Sequence, residues 1–226
     1  MPTPARTSVF AEPFAAVLLD MDGTLIDSIG SVERSWARWS AEYGVDPTLL
    51  RAFHGVTAEN LIEQLLPEDV RVEAFARIRE IEVADVAGIA VLPGAAELLG
   101  SLAEGGVPAA IVTSSTDDLA EARLAATRLP HPEVVVTASD VERGKPWPDP
   151  WLEGARRLGV DPADCLVVED SVAGLRAARD AGCRGLVGVL GTTPCEELEE
   201  VADVVIPDVS HLAHVVEGGR LRVLGH

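Results

Sequence analysis

The stretch Phe14-Ala15-Ala16-Val17-Leu18-Leu19-Asp20-Met21-Asp22-Gly23-Thr24 decides how the chain folds. An apolar run stops abruptly at two carboxylates and a glycine, the pattern of a buried strand whose carboxyl end opens into a turn. Similar runs follow at Ala109–Val112, Val134–Val136, Cys165–Val168 and Leu186–Leu190, with a weaker one at Val204–Ile206. Between them lie segments with helical apolar spacing, such as Leu98, Leu99 and Leu102, or Leu152, Ala155 and Leu158. Alternating strands and helices predict an α/β fold built on a doubly wound parallel sheet.

The first two strands are separated by a long stretch, Ser31 to Val91, that carries no strand pattern. Val32, Trp36, Trp39 and Tyr43 share one helical face, and Leu61 with Leu65 continues the pattern beyond a break at His54-Gly55. A crossover between neighbouring strands does not need so much chain. A helical cap domain at residues 31–91 is therefore expected, inserted after the first strand and standing over the strand ends. Residues 1–30 and 92–226 would form the core, with Pro93-Gly94 marking the return.

Ligands of open parallel sheets bind beyond the carboxyl ends of the strands, so each strand tip is a candidate. The first presents Asp20 and Asp22, one able to attack while the other handles protons; Asp-Gly is also a common turn dipeptide. Thr113-Ser114-Ser115 follows the second, before a helix opening at Thr116-Asp117-Asp118. This is either an anion cradle of hydroxyls and backbone N–H groups or an ordinary N-cap. Past the third lies Gly144-Lys145-Pro146-Trp147-Pro148-Asp149-Pro150, whose prolines restrict where Lys145 can go, although a lysine in an acidic chain is commonly a surface residue. Trp147 and Trp151 read as packing. Glu169-Asp170-Ser171 ends the fourth, offering acids for a metal or caps for the next helix. Turn chemistry explains each tip singly; an acid pair, hydroxyls, a lysine and a second acid pair on consecutive strands describe one site.

Composition narrows the partners. With 18 basic against 37 acidic residues the net charge is −19, which repels nucleic-acid backbones and anionic membranes. An anionic substrate must therefore find local positive charge, from a metal or from particular side chains. Cys165, Cys183 and Cys195 show no paired or metal-ligand spacing, which favours a reducing compartment. Met1 to Pro13 lacks an apolar signal core, and no run approaches the about 20 apolar residues that span a bilayer. A cytoplasmic protein is expected, binding neither nucleic acid nor membrane, as a monomer or weak dimer.

Taken together, Asp20-Met21-Asp22-Gly23-Thr24, Thr113-Ser114, Lys145-Pro146 and Glu169-Asp170 resemble, in order and spacing, the four motifs of the haloacid dehalogenase superfamily of phosphohydrolases. The resemblance covers nearly the whole chain and extends to the cap. It implies a Rossmann-like core of that superfamily and is similar to the group of small-metabolite phosphatases and β-phosphoglucomutase. His54-Gly55-Val56-Thr57 and the segment Ala138 to Pro146 look like those of its sugar-phosphate and glycerol-phosphate phosphatases. Mutase relatives usually carry a histidine twelve residues after the nucleophile; Val32 stands there, which argues for hydrolysis over intramolecular phosphoryl transfer.

What the resemblance implies is a magnesium-dependent phosphatase of a small phosphorylated metabolite, a sugar, polyol or glycerol phosphate. Asp20 would be the nucleophile that forms an aspartyl-phosphate, and Asp22 the acid/base. Magnesium would be held by Asp20, Asp170 and the main-chain carbonyl of Asp22. Thr113, Ser114 and Lys145 would bind the phosphoryl oxygens, and Glu169 would orient Lys145 or support the site from behind. Thr24 and Asp27 are assigned to hinge geometry. His54 either reads the substrate from the cap or is a partly buried histidine satisfied by backbone. Glu80, Glu82, Arg51, Arg77 and Arg79 read as a solvated helix face. A response-regulator receiver shares strand-end acids and a lysine but lacks the insertion and Asp22. A phosphonate hydrolase of this superfamily needs a cap lysine, and none occurs between Ser31 and Val91.

Overall fold

The computed structural model describes residues 9–46, 48–49 and 58–225. In chain order, β1 (Ala16–Leu19) is followed by the two-residue β2 (Ile26–Asp27) and by the cap helices α1 (Ile29–Tyr43), α2 (Ala58–Leu65) and α3 (Glu68–Ala84). The chain returns through β3 (Ala90–Val91) to α4 (Ala95–Glu104), β4 (Ala109–Val112), α5 (Asp117–Thr127) and β5 (Val134–Val136). Then come α6 (Asp149–Leu158), β6 (Cys165–Glu169), α7 (Val172–Asp180), β7 (Gly185–Val189), α8 (Cys195–Glu199) and β8 (Val204–Ile206). A hairpin of β9 (His214–Glu217) and β10 (Arg220–Val223) ends the series.

A strand that is apolar at every position needs cover on both faces, and β1 has it. Val17 and Leu19 pack on one side with Leu98, Leu99 and Leu102 of α4, while Ala16 and Leu18 pack on the other with Trp151, Ala155 and Leu175 of α6 and α7. The sheet runs β5-β4-β1-β6-β7-β8, all parallel, so the expected doubly wound α/β fold is present. Connections step outward on both sides of β1, which places the topological switch point at its tip. Register does the rest. Leu19 lies opposite Ile111 of β4 and Val168 of β6, so Asp20 comes level with Glu169 and with Val112, one residue before Thr113.

The cap helices close a separate apolar cluster of Trp36, Trp39, Leu61, Ile62, Ala74, Ile78 and Ile81, the face expected from the spacing of the two tryptophans. Trp39 also donates its indole N–H to the Ala74 carbonyl at 2.9 Å, tying α1 to α3. The chain enters and leaves the cap through β2 and β3, which pair antiparallel. This short strand at Ala90–Val91 lies inside the stretch expected to be wholly helical.

The β9–β10 hairpin was outside the sequence expectation, although its signal is plain: two short alternating runs flank Gly218-Gly219, both with positive φ, as a tight hairpin turn requires. Phe14 and Leu221 exchange backbone hydrogen bonds at 2.7 and 3.0 Å, so this hairpin closes the sheet at the start of β1. Among the described residues no helix is long and apolar enough to cross a membrane.

Candidate active site

Strand tips and cap helices enclose a cavity of about 550 Å³. Asp20, Asp22, Thr113, Ser114, Glu169 and Asp170 form its floor, and Val32, Trp36, Phe75 and Glu82 belong to its cap wall. The carboxylates from the first and fourth tips converge: ligand oxygens of Asp20, Glu169 and Asp170 all lie within 4.8 Å of one another, and all three residues are buried.

Lys145 is the hub of this floor. It is 1% exposed, and its ammonium donates to Asp20 Oδ1 at 2.6 Å, Glu169 Oε2 at 2.7 Å and the Val112 carbonyl at 3.0 Å. The surface reading of this lysine is therefore wrong; the proline-rich loop delivers it inward. Beneath it lies the ring of Trp151, 4.6 Å from the ammonium, packed as expected. Trp147 is not packed: it is half exposed, with the Arg143 guanidinium 4.6 Å above its ring. Glu169 is held in turn by Ser171, whose backbone N–H and hydroxyl both donate to Oε1, while the Ser171 hydroxyl also caps α7 by accepting from the Gly174 N–H.

Burial dominates the electrostatics of the floor. It raises the Asp20 carboxyl to about 7, with Glu169 pushing the same way and Lys145 pulling back. Burial, reinforced by Glu169 and Asp20, also raises Asp170 well above the usual carboxylate range. For Lys145 burial opposes the charge, but Asp20 and Glu169 outweigh it and hold the ammonium above its ordinary value. Three carboxylates gather here with one ammonium, which pairs with two of them, Asp20 and Glu169. Asp20 Oδ2 is buried and has no hydrogen-bond partner among the described residues. An orphaned acceptor and an excess of negative charge in an all-oxygen cluster are what a hard divalent cation satisfies, so these residues fit one. Asp170 is steadied for such a role by the Thr192 hydroxyl, 2.9 Å from Oδ2.

Asp22 faces elsewhere. Its Oδ1 accepts from the Ser28 hydroxyl at 2.6 Å and pairs with Arg123 at 2.9 Å, and its Oδ2 accepts from the Ser115 hydroxyl at 3.0 Å, with the Thr113 hydroxyl at 3.5 Å. Its carboxylate thus lies outside the cluster of Asp20, Glu169 and Asp170, yet lines the same cavity. Gly23 makes this parting of directions possible. It has φ +86°, and a Cβ built there would overlap the Asp170 carboxylate.

Several expectations need correction or completion. Glu82 is not on a solvated face: it is 6% exposed, beside Arg123 at 3.3 Å, and burial raises its carboxyl to about 7. Arg79 reaches from α3 to Asp118 and Asp117 of α5, whereas Arg77 stays on the cap surface with Glu42 and Glu80. Thr24 is fully buried near the turn with its hydroxyl unpartnered, and Asp27 lies in β2, its carboxylate accepting from the Ile29 N–H at the start of α1. His54 and Arg51 lie outside the described residues. Arg123 and Thr192 were missed altogether. Arg123 had a readable signal, since it occupies a position of the buried stripe Leu119, Ala120, Arg123 and Leu124 of α5.

The haloacid dehalogenase-like hydrolase family model matches residues 14–182. The chain belongs to the haloacid dehalogenase-like hydrolases. Within that family it is 41% identical over 200 residues to hexitol phosphatase A of Escherichia coli, covering 86% of this chain and 91% of the relative. It is 30% identical over 218 residues to glycerol-1-phosphate phosphohydrolase 1 of Saccharomyces cerevisiae, covering 90% and 86%. Among solved structures, a hydrolase from Pseudomonas syringae superposes with a TM-score of 0.81 at 27% identity, over 88% of this chain and 96% of that one. Family and relatives together make this haloacid dehalogenase-like protein a phosphoric monoester hydrolase.

Proposed function

We propose that the chain is a magnesium-dependent phosphatase of a small phosphorylated polyol or sugar, working through an aspartyl-phosphate on Asp20. We take residues 31–91 as its cap and the remainder as its catalytic core. The observation that carries this reading is the division of labour between two carboxylates two residues apart: Asp20 sits in the acid cluster with an unsatisfied oxygen, and Asp22 is turned away from it into the same cavity.

In the first step a carboxylate oxygen of Asp20 attacks the phosphorus in line, forming one P–O bond as the bond to the leaving oxygen breaks. The proton on Asp22 passes to that leaving oxygen, giving the free alcohol. In the second step water attacks the phosphorus, its proton goes to Asp22, and the acyl-phosphate bond breaks to restore Asp20 and release inorganic phosphate. Lys145 compensates charge on the transferring group and keeps Asp20 in place, Glu169 holds Lys145, and Thr113 and Ser114 offer hydroxyls at the same tip. Magnesium would be held by Asp20, Asp170 and the Asp22 carbonyl, and when bound it neutralises the approach of carboxylate to phosphate. Val32, which lines the cavity, is apolar where mutase relatives usually carry histidine, and this supports hydrolysis over phosphoryl transfer. Sugar and polyol phosphates are favoured by the relatives named above. Free thiols at all three cysteines and the acidic surface support a cytoplasmic, reducing location.

Phosphate release across a panel of phosphorylated polyols and sugars, with and without magnesium, tests the reading. Asp20→Asn is expected to remove at least about a thousandfold of the rate while leaving the circular dichroism unchanged. Full activity in that variant removes the nucleophile assignment.

A further inference from the structure

Arg123 and Glu82 are both charged residues on stripes that the helical period assigns to the core. On α5 the buried positions are Leu119, Ala120, Arg123 and Leu124; on α3 they are Ala74, Ile78, Ile81 and Glu82. The two side chains meet across the cleft, Arg123 being 3% exposed and Glu82 8% exposed in their side chains. A charge is retained in such a position only if it is paired, and the Arg123 guanidinium has two carboxyl partners, Asp22 and Glu82.

The guanidinium is divided between two parts of the molecule. Its Nη1 lies 2.9 Å from Asp22 Oδ1 and donates to the Ser115 hydroxyl at 3.0 Å, both in the core. Nη2 donates to Glu82 Oε1 at 3.3 Å, in the cap, and Nε has no partner among the described residues. Remove Glu82 and the guanidinium is anchored through one nitrogen only, which no longer fixes the plane of a long, flexible side chain. Asp22 would then keep the Ser28 and Ser115 hydroxyls but lose the fixed direction of its one charged partner.

We propose that Arg123 is a positioning residue that ties cap helix α3 to the acid/base carboxylate, so that the charged hold on Asp22, beside the Ser28 and Ser115 hydroxyls, is in place only while Glu82 is docked against the core. This rests on the phosphatase reading for its catalytic consequence, but the tie itself does not. Chemistry is thereby coupled to cap closure: water reaching an open cleft meets an Asp22 that is not yet set.

The tie is tested with Arg123→Lys, which keeps the buried positive charge, and with Glu82→Leu, which removes the acceptor for Nη2, singly and together. On glycerol 1-phosphate with magnesium, both single variants should lose at least about tenfold in kcat with KM within about threefold, as expected when only transition-state positioning is removed. With p-nitrophenyl phosphate, whose leaving group needs no proton, the first burst of nitrophenolate should persist while later turnover slows. Hydrogen exchange on α3 supplies a readout independent of activity: each single variant should lower protection around residues 78–84, and the double variant should add nothing further. A rise in KM with kcat unchanged would make Arg123 a substrate ligand and overturn the proposal. So would wild-type α3 protection together with wild-type kcat in Glu82→Leu. If the unaltered protein releases phosphate from neither these compounds nor any member of the polyol and sugar phosphate panel, the phosphatase reading fails, and α3 exchange still decides whether the tie exists.

Discussion

On the floor of the cleft, Lys145 is gripped by Asp20, Glu169 and the Val112 carbonyl, all core groups at strand tips. On the roof, the Arg123 guanidinium is shared between Asp22 of the core and Glu82 of the cap. Both clusters bury a cation between acids, but only the second can be broken by moving one part of the protein past another. The floor is therefore built for fixed geometry, and the roof for geometry that depends on position. Their energetics differ accordingly: the floor carries an excess of negative charge that a divalent cation would relieve, whereas in the roof burial raises the Glu82 carboxyl and leaves Arg123 balanced chiefly by Asp22.

The largest expected effect comes from emptying the floor. Lys145→Met leaves Asp20 and Glu169 buried without their cation, and should cost about 3–5 kcal/mol in urea unfolding with chelator present, besides lowering activity. A loss under about 1 kcal/mol would show that the floor is more hydrated than its burial indicates.

Next comes the pH response of the roof. The Glu82 carboxyl rises from 4.5 to about 7 on folding, so between these values the folded state holds a proton that the unfolded state has released. Its contribution to stability is fully present below pH 4.5 and is lost as pH rises toward 7, by about 3 kcal/mol across the window. Unfolding curves of Glu82→Gln and the unaltered protein, taken from pH 4.5 to 7.5, should therefore shift relative to each other in the variant's favour as pH rises. Parallel curves would place the Glu82 carboxylate in contact with water.

Gly23→Ala is expected to have the smallest effect on stability, about 1–2 kcal/mol for forcing a side chain into the left-handed region. Its Cβ also displaces Asp170, so the magnesium concentration for half-maximal activity should rise at least about tenfold. An unchanged requirement would separate Asp170 from the metal.

The same contrast explains what could be read in advance. Asp20 stands directly after an apolar run and Asp170 one residue past another, while Lys145 lies in the proline-stiffened loop beyond a third, and a parallel sheet brings such tips together whatever their separation in the chain, so the floor was legible from strand and loop signals. Arg123 and Glu82 lie 41 positions apart on two helices, and their meeting depends on how the cap sits over the core, which no local pattern encodes. Read singly, a charge among leucines or on a cap helix passes for a surface residue. Two charges of opposite sign, each on an apolar stripe, are the signal that was present. The β9–β10 hairpin escaped because strands that short fall below the length at which alternation stands out, despite its Gly-Gly turn.

The ribbon of β2 and β3 sets Asp27 directly across from Ala90, so the polypeptide leaves for the cap and comes back at adjoining points. The whole excursion is a cassette plugged into a single socket. A two-residue turn joining those neighbours would close the same hairpin, and the register that aligns Asp20 with β4 and β6 would be undisturbed. Evolution or an engineer can thus exchange the recognition module in one piece, leaving the reactive machinery in its original frame.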